Sequence, residues 1–269
     1  MQKYIVIADD LTGSNATCSL FKKIGLRAAS ILKLQGGISY DVDVISYSTA
    51  SRGLDKEEAY KKVSEAIKIL KNKDVLVYNK RIDSTLRGNI GTEINAMLDN
   101  LEDDRIAVVI PSYPDSGRIV VNKTMLVNGV LLENSDAGKD PKTPIKTSCV
   151  ESLIQKGIKY SSTYFTLSDI EQPIEEIVKK IQEAIKKSRV LIFDAVNNED
   201  IIKISKAIIH SNINIVTVDP GPFTLYYSRE LQKKNHLEKK ILMVIGSVTA
   251  TTKKQIEYIL QEEDIFLVK

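Results

Sequence analysis

Histidine and cysteine are scarce in this sequence, with two of each among 269 residues, and the scarcity excludes several functions at once. Cys18 and Cys149 have no metal-ligand spacing and are too few for a secreted disulfide framework. Cys18 falls on the apolar side of a predicted helix and reads as core. His210 and His236 cannot supply a histidine-rich metal centre. Charge of one sign is missing as well. The 38 basic and 35 acidic residues leave a net charge of +3, which gives no field for nucleic acid. No basic stripe is interleaved with aromatics, and Lys233, Lys234, Lys239 and Lys240 read as a solvated linker. No apolar run is long enough to span a bilayer, and the N-terminus enters a strand without a basic region and cleavage site. The expectation is a cytoplasmic protein with small-molecule partners.

What is present is an ordinary globular composition, 43% apolar and 27% charged, on a chain long enough to bury a full core. Tyr4 to Ala8 is a continuous apolar strand that ends at Asp9-Asp10, and a helix follows with Ala16, Leu20, Phe21 and Ile24 on one face. Two carboxylates at the end of a first parallel strand stand where open α/β sheets place ligands. Alternation predicts that one faces the crevice while the other caps the helix; the plainer reading is that both only cap and solvate the turn. Val42 to Tyr47 is the next predicted strand, followed by the polar loop Ser48 to Gly53 and an amphipathic helix capped by Asp55 and Glu58.

The stretch from Tyr78 to Gly91 organises the chain. Val75-Leu76-Val77-Tyr78 reads as a buried strand, and Ile90, Ile94, Met97, Leu98 and Leu101 mark a helix. Between them lie Lys80, Arg81 and Arg87, one carboxylate, two hydroxyls and Gly88. Guanidinium groups bind carboxylate or phosphate in a fork, and a glycine at a helix start lets backbone N–H groups approach an anion. The competing reading is a solvated loop whose charges pair with one another.

Ile106 to Ile110 is a fourth strand. The segment Ile119 to Leu132 alternates like a hairpin turning at Asn128-Gly129 and interrupts the strand–helix rhythm as an insertion over a site. Val150 to Ile154 suggests a short helix. Regular alternation resumes with a helix after Pro173, a strand at Val190 to Phe193, a helix over Ile201 to Ile208 and a strand at Ile213 to Val218. Tyr226 to Lys240 reads as a linker or peripheral helix. A new strand, Ile241 to Ile245, then leads through Gly246-Ser247 to a helix and a last strand at Ile265 to Val268. The fold class expected is α/β: a Rossmann-like, mostly parallel sheet with helices on both faces and a β-hairpin insertion, plus the start of a second α/β domain. The boundaries expected are 1–235 and 236–269.

Five stretches occur in the order in which they stand in the four-carbon acid sugar kinase family, which the chain resembles. They are Ala8-Asp9-Asp10-Leu11-Thr12-Gly13, the loop from Lys80 to Gly91, Gly117-Arg118, Asp219-Pro220-Gly221-Pro222-Phe223 and Gly246-Ser247-Val248. The string Asp83 to Gly91 is the most specific, and the resemblance runs from Tyr4 to about Gln255. It implies a sugar-acid-binding domain followed by a nucleotide-binding domain, with ATP and Mg2+ as cofactors. The implied substrate is a threonate-, erythronate- or oxo-tetronate-like acid phosphorylated on its terminal hydroxyl. The family carries a later glycine-rich nucleotide motif that this sequence lacks, and no G-x-x-x-x-G-K-[ST] or G-x-G-x-x-G occurs anywhere. The chain is therefore expected to hold a sugar-binding domain and a truncated start of the second, with a missing C-terminal half or a homo-oligomer as possible partner.

Phosphoryl transfer requires positioning, charge neutralisation and a carboxylate to orient the attacking hydroxyl. Asp9 or Asp10 takes that catalytic role in this reading. Lys80, Arg81 and Arg87 hold the substrate's carboxylate, with Gly88 beside them, and Asp83 and Ser84 meet its hydroxyls; Asp83 could instead fix Arg87. Arg118 is a further candidate for substrate or phosphoryl group. Gly246, Ser247 and Thr249 are the candidates for the nucleotide side. The rival is a sugar-acid-binding module without chemistry of its own.

Overall fold

The computed structural model describes residues 3–34, 41–101, 104–237, 244–247 and 249–260. It separates into two compact units, residues 1–233 and 234–269. In the first, β1 (Tyr4–Ala8), α1 (Leu11–Lys22), β2 (Ala28–Ile31), β3 (Val44–Ser48), α2 (Lys56–Leu70), β4 (Val77–Arg81), α3 (Ile90–Asn100) and β5 (Ile106–Val109) follow one another. A meander of β6 (Arg118–Val121), β7 (Thr124–Val127) and β8 (Val130–Leu131) comes next. Then come α4 (Val150–Gln155), β9 (Ser162–Phe165), α5 (Leu167–Ile170), α6 (Ile174–Ala184), β10 (Val190–Phe193), α7 (Asn198–His210), β11 (Ile215–Asp219) and α8 (Pro222–Leu237).

Eight strands form one sheet in the order β2-β3-β1-β4-β11-β5-β10-β9, and every pairing in it is parallel. Period-two alternation divides β1 between two cores. Ile5 and Ile7 join Val63, Ile67, Ile94 and Met97 beneath α2 and α3. Tyr4 and Val6 join Phe21, Ile181, Ile208 and Phe223 beneath α1, α6, α7 and α8. Helices on both faces explain why β1, β5 and β10 are unbroken apolar runs. Since β1 pairs with β3 on one side and β4 on the other, the strand order switches there. The crevice beyond the carboxyl ends of such neighbours is where open sheets bind ligands.

Several sequence expectations change. The two edge strands, β2 and β9, were not expected, because edge residues are only half covered and carry no apolar run; β2 is half-buried throughout. The strand beginning at Val77 continues to Arg81, so Lys80 and Arg81 are strand residues. The expected hairpin is a three-stranded meander. Its first turn, Asn122-Lys123, has φ of +47° and +65°, and its second, Asn128-Gly129, has +50° and +79°. Both suit the twist of tight hairpins, but a lysine at the second turn position hides the first from a sequence reading. Of the segment read as linker or peripheral helix, Tyr226 to Leu237 belongs to α8, whose Phe223 and Tyr227 are buried, and residues 238–240 lie outside the described residues. In the second unit only α9 (Ala250–Ile259) is regular among the described residues. Val244 and Ile245 are not in a strand, whereas Ile241 to Met243, Val248 and Ile265 to Val268 lie outside the described residues. No described helix is long and apolar enough to cross a membrane.

Candidate functional site

Asp10 ends the first β-turn-α connection as the N-cap of α1, its carboxylate accepting from the Gly13 N–H at 2.6 Å. A side chain at Gly13 would crowd this cap. A Cβ there would come within 2.8 Å of Asp10 Oδ1 and 3.3 Å of Arg81 Cγ. The cap residue is also the more exposed of the aspartates, at 28% of its side chain against 3% for Asp9. Alternation thus does not divide capping from crevice-facing as expected; Asp10 does both.

Asp9 is buried and receives Arg52 in a fork, Nε at 2.7 Å and Nη2 at 3.1 Å. The same guanidinium meets Asp10 at 2.8 Å and Asp83 at 3.5 Å. Burial pushes the Asp9 carboxyl above its ordinary range, and Arg52 and Lys80 only partly offset this. The loop carrying Arg52 is tied down in turn. Ser51 N–H donates to the Asp9 carbonyl at 3.0 Å, and the Ser51 hydroxyl donates to Glu93.

Consecutive residues on β4 point to opposite faces, which sends Lys80 towards α3 and Arg81 towards α1. Lys80 is wholly buried and pairs with Glu93 at 2.8 Å. Its ammonium is engaged by Glu93 and the Arg81 carbonyl, not exposed to a ligand's carboxylate as expected. Arg87 is likewise engaged: Nε and Nη2 hold Asp83 at 2.7 and 3.0 Å, and Nη1 holds Asp140 at 2.8 Å. The alternative role of Asp83, fixing Arg87, is the one its geometry matches. Arg81 differs from both. It is 8% exposed and its Nη1 donates to its neighbour's carbonyl; among the described residues no carboxylate forms an ion pair with it and its Nε has no hydrogen-bond partner. Burial lowers its pKa, with Asp219, Asp9, Asp83 and Asp10 opposing the shift.

Gly88 adopts φ +97° and packs against Arg52. Ser84 is half-buried and takes no part in these bonds, and Arg118 bonds the Ser116 carbonyl within its own turn. In the second unit, Thr249 caps α9, and the exposed hydroxyls of Ser247 and Thr252 lie 2.8 Å apart. Sequence reasoning missed Arg52, Glu93 and Asp140. Arg52 had a signal in its position beyond a strand's carboxyl end. Glu93 had one in its spacing, three after Ile90 and four before Met97 on the apolar face of α3.

The donors present do not fit a divalent cation held by this chain. Asp9, Asp10 and Asp83 are each occupied by Arg52, and among the described residues no three Asp, Glu, His or Cys converge as ligands.

Acid should weaken the Asp83 anchor. Burial works to raise its pKa, but hydrogen bonds from Arg87 and Thr85 and the Arg52 charge lower it from 3.8 to about 2. A depressed folded pKa gives stability that is present above the unfolded value and lost as pH falls through the folded one. The contribution is about 2 kcal/mol above roughly pH 4 and vanishes below about pH 2. Urea unfolding should show the gap between wild type and Asp83→Asn narrowing over that window. A gap constant with pH would contradict the assignment.

An open parallel sheet with a charged crevice at its switch point defines a ligand-binding α/β domain. The family profile described as the sugar-binding N-terminal domain matches residues 4–227. The D-erythronate kinase of Heliobacterium modesticaldum is 39% identical over 267 residues, covering 96% of this chain and 60% of that protein. The D-threonate kinase of Salmonella typhimurium is 30% identical, covering 95% and 60%. This chain belongs to the four-carbon acid sugar kinase family. It spans 60% of the length of each of those two relatives. A crystal structure of a domain of unknown function from Bordetella bronchiseptica, a domain-swapped dimer with bound citrate, superposes with a TM-score of 0.74 at 25% identity, covering 97% of this chain and 65% of that one.

Proposed function

We propose that this chain is the sugar-acid-binding part of an ATP-dependent kinase that phosphorylates the terminal hydroxyl of a four-carbon sugar acid. The observation that carries the reading is the placing of Asp10 and Arg81 on either side of Gly13 at the N-terminus of α1. It sets a partly exposed carboxylate near a buried guanidinium that forms no direct ion pair among the described residues. Asp10 orients the attacking hydroxyl and accepts its proton. Arg81 and the positive end of α1 stabilise negative charge that develops on the transferred phosphoryl group. Asp9 acts through Arg52, holding the guanidinium where Asp10 and Asp83 also meet it. The magnesium of the nucleotide supplies charge neutralisation in such transfers; the residues here fit no ion of their own.

The named kinases among the relatives support the reading, and the citrate bound to the Bordetella domain, a hydroxylated polycarboxylate, agrees with a hydroxy-acid ligand. That protein's domain-swapped dimer supports self-association here. The free thiols of Cys18 and Cys149 suit the cytoplasm. Gly246, Ser247 and Thr249 remain the proposed nucleotide contacts. The second reading, a binding module that needs another polypeptide segment for chemistry, is favoured by the 60% span.

One assay separates the two. ADP release is followed with erythronate, threonate and oxo-tetronate, using the purified chain with and without the C-terminal portion of the Heliobacterium kinase. Turnover only with the added portion is the expected result. Turnover by the chain alone would remove the need for it, and no acid-dependent turnover in either arm would leave the binding reading standing against the kinase reading.

A further inference from the structure

The ion pairs around Asp10 and the pocket beside them are sorted by charge. On one side of Arg52 stand Asp9, Asp10 and Asp83, three carboxylates around one guanidinium. Their charges are answered by Arg52 and, at Asp83, by Arg87, so among the described residues the cluster offers a ligand's carboxylate no cation free of an ion pair except Arg81. On its other side Arg52 lines a pocket of about 580 Å³ together with Lys142, Lys146 and Lys156, above a floor that includes Leu86 and Ile145. No acidic residue lines that pocket, and the three lysines form no ion pair among the described residues. Its size falls in the range of small-molecule sites, roughly 300–1,000 Å³.

We propose that this pocket is the carboxylate-recognition end of the ligand site. Lys142, Lys146 and Lys156 fix the acid's anionic end while its terminal hydroxyl reaches Asp10 past Arg52. The proposal rests on the functional reading above and deepens it by giving the substrate a direction. Cations engaged by carboxylates at one end and three lysines without ion pairs at the other select this orientation, as charge complementarity does at other binding sites.

The lysines lie on backbone that is already held in place. Asp140 accepts from the Lys142 and Thr143 N–H groups at 2.9 and 2.8 Å, which closes the turn. Arg87 grips the other oxygen of Asp140 at 2.8 Å. Ile145 N–H donates to the Ala137 carbonyl at 3.1 Å and its side chain is buried, so the flanking residues start from a fixed segment. Arg87 therefore serves anion binding as a strut: it neutralises Asp140, which would otherwise face the lysines, and ties the insertion to the β4–α3 loop.

The test is calorimetric titration of the full chain with D-erythronate and with the neutral alcohol erythritol at low and high salt. The variant is Lys142→Met/Lys146→Met/Lys156→Met. A control with the same charge change is Lys179→Met/Lys180→Met/Lys186→Met, whose lysines pair with surface acids on α6 and near it. Thermal melting checks that both are folded. Erythronate affinity should fall by about tenfold or more in the first variant and hold in the control, and the wild-type salt dependence should flatten with it. Erythritol binding should be the same in all three proteins. Unchanged erythronate affinity in the first variant, with wild type binding normally, would overturn the pocket assignment alone. Failure of wild type to bind any short hydroxy acid would overturn it together with the functional reading.

Discussion

Glu93→Gln is expected to destabilise the first unit by about 3–5 kcal/mol, the cost of leaving one member of a buried ion pair without its partner. Glu93 is 1% exposed and Lys80 is fully buried, with 2.8 Å between their charged groups. Glutamine has the same shape and keeps an acceptor for the Ser51 hydroxyl, so the substitution isolates the charge. The Lys80 ammonium would retain only the Arg81 carbonyl, 2.9 Å away. Urea unfolding at neutral pH measures the loss, and a change below about 1 kcal/mol would show that Lys80 finds another counterion or sheds its proton. The double variant Lys80→Met/Glu93→Leu should regain most of the stability, since apolar replacements of a buried pair are often neutral. It should still bind sugar acid poorly, because the Ser51 hydroxyl keeps only Thr49, 2.7 Å away, and the loop carrying Arg52 loses its tie to α3.

That pair also marks where sequence reasoning stopped. β1, β5 and β10 were legible because burial on both faces leaves unbroken apolar runs, and β10 was placed residue for residue at Val190 to Phe193. Lys80 and Arg81 read as loop residues because a cation in a buried strand is rare unless it is paired. Lys80's partner lies 13 positions away on α3, and nothing in the local pattern links the two. Arg87 read as an anion clamp by its chemistry, but its three bonds go to Asp83, four residues before it, and to Asp140, 53 residues after it. The first partner could be guessed from spacing. The second depends on how the insertion folds back. Arg52 stood in a polar loop of no special composition, and its importance comes from three carboxylates contributed by two other connections.

The same geometry assigns different consequences to the two neighbouring aspartates. In a kinase-competent protein, this chain supplied with the part of the Heliobacterium enzyme outside their match, Asp10→Asn should lower kcat by about 100-fold or more, the scale of a positioned acid–base group. Asparagine is as good an N-cap as aspartate, so the Gly13 N–H keeps its acceptor and α1 should stay intact. Stability should therefore change by less than about 1 kcal/mol, and KM should move little, because the lost function is at the reacting hydroxyl. Asp9→Asn should reverse the pattern. Asp9 is buried and holds Arg52 through two bonds, at 2.7 and 3.1 Å, of which an amide can accept only one without turning a donor towards the guanidinium. The expected loss is about 1–3 kcal/mol of stability, with weaker sugar-acid binding as Arg52 shifts. Steady-state kinetics and urea unfolding on both variants separate the roles. A large kcat loss at Asp9 with a nearly silent Asp10 would exchange the assignments, and small equal losses at both would move the base to another carboxylate, with Asp83 the next to test.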